Sequence, residues 1–399
     1  MKRSILLLVA FMIAAGLFSP LINCNAIPAF ARKYQISCQV CHSPAMPRLK
    51  GFGEEFAGNG FRMTDYESPR YFIQTGDTKL SLFRELPLAI RLDGFASFNF
   101  NDERSVDFAS PFVLKILSGG EISEKLSYYF YFLLNERGSI AGVEDAFLMY
   151  HDLFGSGINF YIGQFQVSDP LFKGELRYTL EPYMIYSTKP GNSGADLKYD
   201  RGIVLERDFS TGTTLVGEII NGSGIGEAGE GIVFDRDKYK NFMLRLNQSL
   251  GKNLTIGLFG YAGKEDLPRF TGSFINNIKM FGPDLTFNFD DKLILNMQYL
   301  RRYDSDVLSG IFMLDDIITE GGFAELIFSP NGDMSNWYLT GLFNWVESEM
   351  DNLDYKSATL HAGYLLRRNL RVVSEYTYSL SGVSDYKYGR MSAGFVSAF

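Results

Sequence analysis

Leu370-Arg371-Val372-Val373-Ser374-Glu375-Tyr376-Thr377-Tyr378-Ser379-Leu380 sets how the rest of the chain is read. Leu370, Val372, Tyr376, Tyr378 and Leu380 fall on one set of alternate positions, and Arg371, Glu375, Thr377 and Ser379 on the other. A period of two belongs to a strand, whose successive side chains point to opposite faces. The pattern recurs. Leu88, Ile90, Leu92, Ala96, Phe98 and Phe100 oppose Arg91, Asp93, Ser97 and Asn99. Phe242, Leu244 and Leu246 oppose Arg245 and Asn247, and Leu293, Leu295, Met297 and Tyr299 oppose Asn296, Gln298 and Arg302.

A soluble β-sandwich alternates in the same way, so the connectors must discriminate. Sixteen strands are predicted near 88–100, 110–122, 126–136, 143–152, 157–166, 200–208, 213–221, 239–250, 253–263, 275–288, 292–303, 318–328, 336–348, 355–367, 370–380 and 387–398. Connectors after even-numbered strands are short, such as Ser123-Glu124-Lys125, Gly251-Lys252, Asp290-Asp291 and Arg368-Asn369. Several after odd-numbered strands are long: 167–199, 222–238 and 304–317. Short turns at one end and long loops at the other are the arrangement of an outer-membrane barrel. Trp337 and Trp345 lie near strand ends, where such barrels place aromatic girdles. The chain closes on alternating Met391, Ala393 and Phe395 before a terminal Phe399, which resembles the recognition signal for barrel assembly. The expected fold is all-β, a 16-stranded outer-membrane β-barrel over residues 76–399, with a lumen that is water-filled unless something plugs it.

The 399 residues include 35 Phe and 23 Tyr but only 3 Cys. The net charge of −8 argues against a nucleic-acid partner. The one extended apolar run is N-terminal. Lys2 and Arg3 precede Ile5 to Phe18, and Cys24-Asn25-Ala26 suits signal peptidase, so residues 1–26 read as an export signal cleaved after Ala26. Lipidation of Cys24 is the alternative, and Asn23 is a poor residue before a lipidated cysteine.

Cleavage leaves Cys38 and Cys41, in Ser37-Cys38-Gln39-Val40-Cys41-His42. Two thiols at this spacing add across the vinyl groups of haem, and the following His is placed to ligate the iron. A zinc site would need further Cys or His close by, and the other histidines are His151 and His361. The motif therefore predicts one covalent haem c on Cys38 and Cys41, with His42 as proximal ligand. Candidates for the sixth position are Met63, which the chain could loop over the haem, then Met46, and His361 if the haem enters the barrel. Arg32 and Lys33 are candidates for the propionates.

Ile27-Pro28-Ala29-Phe30-Ala31-Arg32-Lys33-Tyr34, the haem motif, Pro47-Arg48-Leu49, Phe52-Gly53 and Phe56 through Asn59-Gly60-Phe61 resemble the fused monohaem cytochrome–porin family, whose best-known members are outer-membrane iron(II) oxidases. The resemblance covers residues 27 to 61. Ser43-Pro44-Ala45-Met46-Pro47 departs from it by an extra residue after the His. It implies a monohaem c-type cytochrome segment at 27–75 and electron transfer across the outer membrane, from extracellular Fe(II) to a periplasmic cytochrome. The protein would then act as an Fe(II):cytochrome c oxidoreductase. The competing reading is a solute porin with the haem segment as plug or gate; a small haem peroxidase is a third. Carboxylates at Asp169, Glu175, Glu181, Glu227, Glu230, Asp235 and Asp237 could attract Fe(II) to the long loops, but their spacing matches no metal motif.

Overall fold

The computed structural model describes residues 29–399 except 64–71, 74–75, 78, 81, 84–85, 101–104, 141, 271 and 382–388. The export signal, its cleavage point, residues 27–28 and the end of the expected cytochrome segment at 64–71 lie outside them. A short hairpin, β1 (Phe72–Ile73) and β2 (Leu82–Phe83), precedes the barrel. Sixteen strands follow: β3 (Leu88–Asn99), β4 (Ser105–Ser123), β5 (Leu126–Glu136), β6 (Gly142–Tyr150), β7 (Ile158–Gln166) and β8 (Tyr199–Phe209). Next come β9 (Thr213–Ile220), β10 (Asn241–Leu250), β11 (Leu254–Pro268), β12 (Ser273–Phe289) and β13 (Leu293–Ser309). The last are β14 (Phe312–Phe328), β15 (Trp337–Ser348), β16 (Tyr355–Arg367), β17 (Leu370–Ser381) and β18 (Gly389–Ala398). Each pairs antiparallel with its chain neighbour, and β18 closes on β3 from Arg390↔Asn99 to Ala398↔Arg91. Closure leaves the barrel no open edge, which is the condition for strands to cross lipid.

One predicted connector is not a loop. Across 304–317, β13 and β14 stay paired through Asp304↔Ile317, Asp306↔Asp315 and Ser309↔Phe312, turning at Gly310-Ile311. The apolar alternation fades there because outward positions become polar at Arg301. The strand has left the lipid band without ending.

Below that level the outer face is apolar. Leu293, Met297, Leu360, Tyr364, Val372 and Tyr376 are exposed on outward positions. Phe328 and Trp337 meet edge-on at 5.9 Å near the turn end. Outward ion pairs Arg301–Glu320 (3.9 Å) and Lys356–Glu347 (2.6 Å) lie just past Tyr299 and Trp345 and close the band at the other end. This is the surface of a lipid-embedded barrel, and the end bearing the short turns is the periplasmic one.

The inward face is polar yet buried, as at Glu325, Asn344 and Asp304, because two pieces of chain occupy the lumen. The first is the connector between β7 and β8, residues 167–198. Its Val167, Tyr183, Ile185, Tyr186 and Leu197 pack against Phe259, Met280, Leu300, Phe323 and Val346 of the wall. Tyr183 stacks on Phe323 at 3.9 Å. Arg302 pins the far end of the connector, bonding Asp304 (2.7 and 2.8 Å), the Ala195 carbonyl (2.7 Å) and Ser193 Oγ (2.7 Å). The carboxylates of this connector are paired, the exposed Asp169 with Lys173, and the more buried Glu175 and Glu181 with Lys115 and Arg390. They do not form an outward-facing acidic loop.

Candidate functional site: the cysteine loop in the lumen

The second occupant is the N-terminal segment. A helix, Ala29–Tyr34, leads to a 3₁₀ turn at Cys38–Val40, in which the Cys41 and His42 amides donate to the Cys38 carbonyl (3.3 and 2.9 Å). That turn puts both thiols and the imidazole on one loop. Both cysteines are free and half-buried. Burial pushes the Cys41 thiol up to about 11, helped by Cys38, and raises Cys38 as well. A second helix, Gly51–Gly58, packs against the loop so closely that a Cβ on Gly53 would strike the Cys41 carbonyl oxygen. Phe30, Tyr34, Phe56 and Phe61 form the aromatic centre of the segment, with rings 5.2 to 6.1 Å apart.

His42 Nδ1 lies 3.0 Å from the Arg48 carbonyl, and burial, reinforced by Arg371, holds its pKa down. The ring is thus held in its neutral form and oriented through Nδ1, and Nε2 would be the nitrogen offered to an iron. Free thiols, a neutral imidazole and an aromatic cradle fit a haem c.

Barrel residues grip this loop. The hydroxyl of Tyr178, on the infolded connector, is within 3.0 Å of the Ser43 carbonyl and 2.9 Å of the Ala45 carbonyl. Arg371 on β17 donates to the Met46 carbonyl, and Arg48 pairs with Glu325 of β14 at 3.5 Å. Lys50 bonds Asp333 in the turn between β14 and β15, and Gln39 donates to the Asp333 carbonyl (2.9 Å). Asp333 lies at the turn end while Tyr178 and Arg371 lie inside, so the loop sits within the periplasmic half of the lumen.

No family model and no curated protein matches the chain. Solved structures do. The anion-selective porin from Comamonas acidovorans is 12% identical with a TM-score of 0.57, over 79% of this chain and 99% of that one. The fold is that of an outer-membrane porin. The outer membrane channel DcaP of Acinetobacter baumannii matches at TM-score 0.56 and 12% identity, over 79% and 97% of the two chains. The in-vitro folded trimer form of OmpT from Vibrio cholerae matches at 0.54 and 12%, over 79% and 99%.

Within this porin fold the candidates for the sixth ligand are spread apart. Met46 packs against the buried cluster of Phe95, Val373 and Val396. Met63 is half-buried and follows Phe61, which stacks on Tyr129 of β5 at 4.6 Å, and Arg62, which donates to the Glu124 carbonyl. That anchorage is four strands round the barrel from Arg371 on β17. His361 faces the lumen as its strand register predicted, but both its nitrogens are engaged. Nδ1 lies 3.0 Å from Glu375 Oε2, and Nε2 lies 3.4 Å from the Tyr338 hydroxyl. Arg32 donates to the Leu88 carbonyl (2.7 Å), and burial lowers Lys33 to about 8 against the pull of Glu121. The cations beside the haem motif are instead Arg368, Arg371 and Lys50. Sequence patterns do not reveal Tyr178, Arg371 or Glu325 as partners, since each is one more inward or loop residue until the lumen is filled.

Proposed function

We propose that the protein carries one covalent haem c on Cys38 and Cys41 with His42 as proximal ligand, and that it moves electrons across the outer membrane. The donor is an extracellular reductant such as Fe(II), and the acceptor is a periplasmic cytochrome. The observation that supports this reading is the clamping of the Cys-x-x-Cys-His loop inside the lumen of a membrane-spanning barrel by Tyr178, Arg371 and Glu325. When bound, the haem supplies a one-electron Fe(III)/Fe(II) couple. The chain holds and orients His42 through the Arg48 carbonyl, and it fills the lumen around the loop.

Whole cells test it: Fe(II) added outside should reduce the haem with the outer membrane intact. Reduction only after that membrane is broken would sink the conduit. The second reading, a solute porin with the segment as plug, is favoured by the fold, which is shared with porins. It predicts solute permeation through liposome-embedded protein that rises when residues 27–75 are deleted, irrespective of haem.

A further inference from the structure

Beside the clamped loop lies a pair of titratable side chains that the electron-transfer reading leaves unused. His361 on β16 is 1% exposed and meets Glu375 on β17 at 3.0 Å. The Glu375 carboxylate accepts from the Leu180 amide (2.7 Å), the Glu181 amide (3.2 Å) and Thr377 Oγ1 (3.3 Å), and Arg390 lies 4.0 Å away. With so many donors on the carboxylate, the proton that can come and go is the one on the His361 ring. Tyr338 OH, 3.4 Å from Nε2, can donate to a neutral ring or accept from a charged one, because a hydroxyl serves both roles.

Three observations connect this pair to the cysteine loop and to water. Tyr178, whose hydroxyl holds the Ser43 and Ala45 carbonyls, packs its ring on Tyr338 at 4.2 Å and lies parallel to His361 at 6.5 Å. Arg371, which holds the Met46 carbonyl, extends its guanidinium over the Tyr178 and Tyr338 rings at 5.1 and 5.7 Å. A cavity of about 60 Å³, room for a few waters, reaches His361. Its polar lining includes Asp93, Lys115, Tyr131 and Glu175.

We infer that the His361–Glu375 pair is the proton-exchanging site of the lumen, coupled electrostatically to the haem loop. The inference rests on the haem reading of Cys38, Cys41 and His42. When an external one-electron reductant delivers an electron to that group, His361 takes up a fraction of a proton, at most one, from the cavity water. Once the electron leaves for the acceptor, that fraction returns to the same water. The added negative charge is poorly screened in a filled lumen, so it favours the imidazolium. The groups facing the pair are Arg371 and Thr377 from β17, Tyr338 from β15, Glu325 from β14 and Arg390 from β18. Tyr178 and Glu181 face it from the connector, and Arg48, paired with Glu325, from the N-terminal segment.

Proton uptake on reduction makes the reduction potential fall as pH rises, across the window between the ring's pKa values in the two redox states. The test is a redox titration of the purified holoprotein at several pH values, with a pH-indicator dye following proton uptake on stoichiometric reduction. The wild type should take up a substantial fraction of a proton per electron and show a pH-dependent potential. H361Q, with covalent haem and heat-modifiable migration retained, should lose both. Y338F, a gentler change, should keep the pH dependence but move its window. A pH-independent wild-type potential, or undiminished uptake in H361Q, overturns the inference. Absence of covalent haem from the wild type is a separate outcome that removes the functional reading itself.

Discussion

The two occupants of the lumen are held in opposite ways. The connector 167–198 is built in: it shares an apolar core with the wall, from Val167 and Tyr183 to Phe323 and Val346, and a buried arginine pins its end. The N-terminal segment is docked. Its own apolar centre is a small aromatic group around Phe56, and beside the apolar contacts of Ala45, Met46 and Phe61 the wall holds it by polar contacts to carbonyls at Ser43, Ala45 and Met46 and by charges at Arg48 and Lys50. Gly60 shows how close the docking is, since a Cβ there would run into Ser127 Oγ and His151 Nε2, and its φ of +71° favours glycine in any case. One piece therefore shares the barrel's core, while the other is a separate small unit held against the wall. A segment this short buries too little surface to be stable alone, and a covalent haem is the group its residues fit.

Four experiments separate the docked piece from the built-in one. Replacing both Cys38 and Cys41 with Ala should abolish haem retained through denaturing electrophoresis, while the barrel and its connector still show heat-modifiable migration. A double mutant that keeps covalent haem would refute the assignment. Arg302→Ala should act on the connector, because it leaves Asp304 without its guanidinium and frees the Ser193–Ala195 end. Removing one partner of a buried pair costs about 3–5 kcal/mol, readable as a shift in urea unfolding of the barrel; an unchanged midpoint would mean that the connector is not pinned there.

Tyr178→Phe should be milder and fall on the docked segment. It deletes one hydroxyl serving two buried carbonyls, a loss of about 1–3 kcal/mol, and hydrogen exchange near Ala45 should accelerate with the barrel strands unaffected. Uniform acceleration everywhere would show that loop and wall unfold together. The smallest effect is one of pH. Burial, aided by Arg62, pushes His151 down to about 4, and its Nε2 lies 2.8 Å from Ser127 Oγ beneath Gly60. A histidine whose folded pKa is depressed gives its stability in full above about 6.5 and loses it as pH falls toward 4. Between pH 7 and 5, docking of the segment should weaken by about 1 kcal/mol once solvent screening of this rim position is allowed for, measured by protease susceptibility near Phe61. H151Q should remove that pH dependence.

Strand number and the polar and apolar faces were legible in the linear chain, because each is a local property: a period of two or a turn residue. His361 could even be assigned to the lumen from its alternation with Leu360 and Ala362. The upper part of β13 and β14 was not legible, because polar outward residues above the lipid band erase the apolar signal while backbone pairing continues through Asp306↔Asp315. What fills the barrel emerges only once the chain has closed on itself. Tyr178 meets Ser43 across 135 residues, Arg371 meets Met46 across 325, and Gln39 meets Asp333 across 294. Contacts at such separations depend on barrel closure and on the inward turn of one connector, and no short-range pattern encodes either.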